Sequence, residues 1–99
     1  MEVVFHRLAS QEYLAALRWY ARRSGRIARA FRDAVDQTAW RIGTTPDQGV
    51  LFRNSIRWFR TPRFPYLLYY TPLSDTQIMV LAVAHARRRL GYWQRRRPG

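Results

Sequence analysis

The sequence predicts a small α+β domain of order β-α-α-β-β-β, with an N-terminal helical hairpin packed on one face of a small twisted, mainly antiparallel sheet. Three observations carry this. Residues 11–42 follow the helical period, interrupted once near Gly25. Residues 49–84 fall instead into short apolar or alternating runs separated by Asn-Ser, Thr-Pro and Pro-Leu-Ser-Asp turn signals. The chain has 99 residues, 47% of them hydrophobic, which suffices for one core and not for two.

Val3 to Arg7 is rich in β-branched and aromatic residues and predicts the first strand. Ser10 reads as the N-cap of a helix over 11–24, because its hydroxyl can accept from the first free N–H groups. On that helix Tyr13, Leu14, Leu17, Tyr20 and Ala21 share a face, and Arg18, Arg22 and Arg23 lie away from it. Gly25 is the expected stop. A second helix over 26–42 carries the stripe Ile27, Phe31, Ala34, Val35, Thr38 and Ile42, and Gly43-Thr-Thr-Pro46 ends it. Gly49 to Arg53 is a short extended segment, and Asn54-Ser55 turns the chain. Ile56 to Thr61 then sets Arg57 and Phe59 on one side against Ile56, Trp58 and Arg60 on the other. Phe64 to Thr71 follows, with Pro65 at its start, where a strand tolerates proline. Gln77 to Ala84 is continuously apolar, as a central strand covered on both faces should be. The short turns between the later strands predict an antiparallel meander. The single domain spans 1–93, and residues 94–99, Gln-Arg-Arg-Arg-Pro-Gly, read as a flexible basic tail.

Composition narrows the function. There is no cysteine, which excludes disulfides, thiolate nucleophiles and thiolate metal sites, and two histidines make a histidine-rich metal site a poor prospect. No metal and no cofactor are expected. No apolar run approaches the roughly 18 residues of a membrane span, and the N-terminus lacks the basic and apolar regions of a signal peptide, so a cytoplasmic protein is expected. Net charge is +12, and all 18 basic residues are arginine. Residues 50–99 hold ten arginines against Asp75 alone. A bias toward arginine codons explains arginine over lysine but not the shortage of acids. The second half therefore implies an anionic partner: nucleic acid, an acidic protein segment, or both.

Phe64-Pro65-Tyr66, Tyr69-Tyr70, Ile78 through His85, Arg87-Arg88-Arg89 and Gly91-Tyr92-Trp93 follow one another at a spacing that resembles the RelE/ParE superfamily of toxins from type II toxin–antitoxin systems. The order of elements is similar over nearly the whole chain. Leu90 departs from the proline common before Gly-Tyr-Trp in these toxins. The resemblance implies growth arrest of bacteria and a cognate acidic antitoxin as partner. It leaves two targets open, since a shared fold does not give function: ParE-like members bind DNA gyrase, and RelE-like members cut messenger RNA on the ribosome. The His85-x-Arg87-Arg88 and Gly91-Tyr92-Trp93 ending looks closer to the ParE-like branch, which is therefore favoured.

The candidate residues divide accordingly. Metal-independent RNA cleavage needs proton carriers, for which His85 and Tyr92 are the candidates, and cations that clamp the phosphate, for which arginine's planar fork suits. Arg57, Arg60, Arg63, Arg87 and Arg88 are the candidate phosphate- or target-binding residues, with Trp93 as a further target contact. Arg57 and Tyr92 fall at places that approximately match the cleaving members, and Arg88 at a further one. Each has a plainer alternative: His85 ordering a turn, Tyr92 and Trp93 closing the core over the sheet end, and Arg95 to Arg97 forming a solvated charge run. A nucleic-acid binder outside toxin–antitoxin systems is disfavoured, because no recognition-helix or RNA-binding signature is present.

Overall fold

The computed structural model describes residues 1–96. The elements are β1 (Glu2–Phe5), α1 (Arg7–Ala21), α2 (Gly25–Thr44), β2 (Val50–Arg53), β3 (Ile56–Arg60), β4 (Tyr66–Pro72) and β5 (Gln77–His85). One five-stranded sheet runs in the order β1-β5-β4-β3-β2. β2 through β5 form the expected antiparallel meander, and the short segment before Asn54 is a full edge strand. β1 returns to lie parallel to β5, with Val3 opposite Ile78 and Phe5 opposite Val80.

The helices differ from expectation in detail. α1 begins at Arg7, before Ser10, because β1 runs into it with a single intervening residue. The His6 N–H donates to the Val80 carbonyl, and its Nδ1 accepts from the Leu8 N–H at 3.1 Å, so His6 is the cap and Ser10 lies inside the helix. The inward stripe is turned accordingly: Ala9 and Ala16 are buried, whereas Leu14 is 41% exposed. Those two alanines let α1 lie close to β5. Ser24, not Gly25, marks the join: its Oγ accepts from the Ile27 N–H, and Gly25 is already helical. On α2, Phe31, Ala34, Val35, Thr38 and Ile42 are buried as expected, while Ile27 gives way to Ala28. Gly43 is required where β1 begins, since a Cβ there would meet the Met1 carbonyl at 2.8 Å.

Both faces of the sheet are covered. The helical hairpin packs over Phe59, Phe64, Leu68, Tyr70, Ile78, Val80 and Val83. On the other face Tyr69, Met79, Leu81, Ala82 and Ala84 gather around Trp93, which the chain places there after leaving β5. Trp93 is 1% exposed, with its ring 4.3 Å from Tyr69 and 5.2 Å from Phe52 between centroids. A bulge explains how β5 serves both sides. Tyr69 pairs with Ala82 and Tyr70 with Val80, so Leu81 has no partner on β4 and the alternation restarts after it.

The C-terminal segment belongs to this fold further than its composition suggests. Gly91 sits at φ 78°, a left-handed turn that suits glycine, and the chain then makes successive tight turns through Arg96. Gln94 accepts from Arg53, and Arg96 is bonded into the body of the protein, so the boundary expected at 93 falls too early. The remainder of the expected tail, Arg97 to Gly99, lies outside the described residues.

Candidate functional site

The basic surface is built at the end of the sheet where β5 finishes. Arg60 pairs with Leu67, Leu67 with Ala84, and the Ala86 N–H donates to the Pro65 carbonyl at 2.8 Å. The β3–β4 connection and the segment after β5 are thereby tied together. Arg60 ends β3, the connection carries Arg63, and the segment carries Arg87, Arg88 and Arg89, all exposed. Arg87 to Arg89 are not on a strand: β5 ends at His85, and the three side chains project from a turn. Among the described residues none of these arginines pairs with a carboxylate.

His85 orders that turn. Its Nδ1 accepts from the Arg87 N–H at 3.1 Å, its carbonyl accepts from the Arg88 N–H, and its ring meets the edge of Tyr66. Beside it a groove of about 640 Å³ runs between α1 and the β4–β5 end, lined by Trp19, Tyr20, Tyr66 and Val83, with Arg88 and Glu12 also on its walls. Arg57 is not part of this surface. It lies about 10 Å along the strand, opposite Tyr70, with its guanidinium half-buried and donating to the Gly49 carbonyl. The residues expected to clamp one phosphate are therefore not gathered in one place. Trp93, expected as a target contact, is core: aromatic burial beneath Tyr69 and Phe52 takes it out of reach of a partner.

Tyr92 is held by a residue that sequence reasoning passed over. Its hydroxyl donates to Glu12 Oε2, while Arg96 forks onto both oxygens of the same carboxylate at 2.8 and 2.9 Å. The Glu12 Oε1 also accepts from the Val83 N–H at 3.0 Å, and Arg96 donates to the Leu81 carbonyl at 2.9 Å. These are backbone groups of β5 beyond the end of β1, where no strand remains to pair with them. Glu12 was legible in principle, since it falls between Ala9 and Ala16 on the inward stripe of α1, an unusual place for a carboxylate. Burial, and then the bond to Glu12, hold the Tyr92 phenol well above its ordinary value. At neutral pH it is a fixed donor with its proton committed inside the protein.

Burial raises the phenols of Tyr13, Tyr20, Tyr66, Tyr69 and Tyr70 as well. A phenol that binds its proton more tightly in the folded state supports folding fully below its unfolded value, near ~10, and loses that support as pH rises through the folded one. Urea midpoints should therefore fall steeply above about pH 10, and Tyr92→Phe should blunt the fall. A midpoint that stays level to about pH 12 would contradict this.

Among the described residues no group of three or more His, Asp or Glu side chains could hold a metal ion, and no helix is long and apolar enough to cross a membrane.

The chain belongs to the ParE toxins, the toxin component of type II toxin–antitoxin systems (parDE): the family model matches residues 3–90. Among solved structures it is similar to a chain of the chromosomal ParDE TA system from P. aeruginosa, with a TM-score of 0.72 and 20% sequence identity over 88% of this chain and 97% of that one. No curated protein matches the sequence. The fold expectation and the ParE-like assignment both hold. The family match ends at residue 90, short of Tyr92, Trp93 and Arg96.

Proposed function

We propose that this toxin arrests growth by binding DNA gyrase through the arginine turn after β5, and that an acidic cognate antitoxin neutralises it. The observation that carries the reading is the division of labour at the sheet end. Arg87, Arg88 and Arg89 are exposed and without acidic partners among the described residues, whereas Tyr92, one of the two candidate proton carriers, has its hydroxyl committed to Glu12, and the other, His85, has its Nδ1 engaged by the Arg87 N–H that it orders. A surface that binds a protein needs no general base. Cleavage of RNA does, and Arg57, one of its expected clamps, stands apart. The apolar groove along α1, with Arg88 at its wall, suits an amphipathic acidic segment, and a net charge of +12 would speed its capture by electrostatic steering.

Purified toxin should inhibit gyrase supercoiling with no ribosome present, and induction should produce double-strand breaks and an SOS response while messenger RNA stays intact. Antitoxin co-expression should restore growth and give a stable complex. Codon-phased cuts on translated messages, in cells whose supercoiling is normal, would instead place the target on the ribosome.

A further inference from the structure

We infer that Glu12 is a positioning residue for toxicity: through Tyr92 and Arg96 its carboxylate holds the C-terminal turns against β5 and so sets where the Arg88 guanidinium stands. The chain has six acidic residues, and Glu12 differs from the other described ion-paired acid in being enclosed. Its side chain is 15% exposed and that of Arg96 13%, against 72% and 53% for Asp33 and Arg32. One carboxylate thus joins α1, the bulged stretch of β5 and the C-terminal turns. Enclosed ion pairs gain little net stability, because desolvation offsets the attraction, and in some proteins they serve instead to select one arrangement of the chain, the role inferred for this one. The arrangement selected here has a consequence at the surface. Arg88 lies with its guanidinium carbon 4.0 Å over the Tyr92 ring, and Arg96 approaches that ring at 5.3 Å. The Tyr92 ring is therefore a platform held at its hydroxyl by Glu12, with an arginine of the exposed turn seated over it. Without the carboxylate, Arg96 would keep only its bond to the Leu81 carbonyl and its approach to the Tyr92 ring.

The inference rests on the arginine turn being the effector surface, and not on which target it meets, so growth arrest is the activity to read. Glu12→Gln keeps an oxygen for the Val83 N–H and removes the charge that holds Arg96. Arg96→Ala removes the other half of the pair from the outside. At equal soluble levels each should need about tenfold more toxin for arrest, within the range of coupled neighbours, while the circular dichroism spectrum of the folded domain is retained. In the Arg88→Ala background, Glu12→Gln should cost no further toxicity. By NMR, the Arg88 side-chain protons should be shifted upfield by the Tyr92 ring in the parent protein and return toward exposed-arginine values in Glu12→Gln and Arg96→Ala.

Full toxicity in both variants, with Arg88→Ala weakened, would overturn the positioning role alone. So would an unchanged Arg88 shift in variants that have lost toxicity. Full toxicity in Arg88→Ala would overturn the effector reading of the turn and the positioning role with it. A loss of the folded circular dichroism spectrum in step with toxicity would make Glu12 a purely structural residue and overturn the inference.

Discussion

Trp93→Ala is expected to lower stability by about 3–5 kcal/mol, the range for deleting a large buried aromatic. The indole is 1% exposed and stacks at a tilt on Tyr69 while meeting Phe52. Met79, Leu81, Ala82 and Ala84 complete its surroundings, and most of these are too small or too firmly held in β5 to collapse into the space left. A domain of this size has roughly 5–15 kcal/mol in total, so the variant should unfold at much lower urea and accumulate poorly. Equilibrium denaturation, with near-ultraviolet circular dichroism to follow the aromatic cluster, measures the loss directly. The same experiment separates two roles. Were Trp93 a surface residue that meets a target, truncation would leave stability within about 0.5 kcal/mol and remove activity alone.

Arg87→Ala with Arg88→Ala has the opposite signature: toxicity should be abolished while the fold survives. Both side chains are exposed, and neither forms an ion pair among the described residues. The substitutions take the Arg88 guanidinium off the Tyr92 ring, a cation–π interaction worth about 0.5–1 kcal/mol at an exposed site. The turn itself should persist, since His85 holds the Arg87 and Arg88 backbone N–H groups through its own ring nitrogen and carbonyl, which the substitutions leave in place. The double variant should therefore purify with near-parental stability and fail to arrest growth at matched soluble levels. Arrest by the double variant would remove the arginine turn from the effector surface.

Local chemistry makes much of this protein legible from its sequence. The helical period of 11–42, the alternation of Ile56 to Arg60 and the unbroken apolar run of β5 are each set by which side chains must leave water, and a chain with short turns has few ways to satisfy them. The surplus of arginine over acid in the second half, and the motifs from Phe64 to Trp93, place the protein among its relatives without recourse to tertiary structure. Tertiary structure decided the rest. That β1 lies parallel to β5 depends on partners more than seventy residues apart, which no local pattern encodes. The face of α1 that turns inward followed from β1 running straight into it, which moved the cap to His6 and brought Glu12 inside. Tyr92, Trp93 and Arg96 are easy to notice as chemistry, but whether they meet a target, close the core or lie in a solvated run is decided only by the assembled sheet. Their places follow from a bulge at Leu81 and from the end of β1 near Val80, which together leave backbone groups of β5 to be met by Glu12 and Arg96. An unpaired backbone group inside a protein costs too much to leave unmet, and where such groups arise is a property of the assembled sheet.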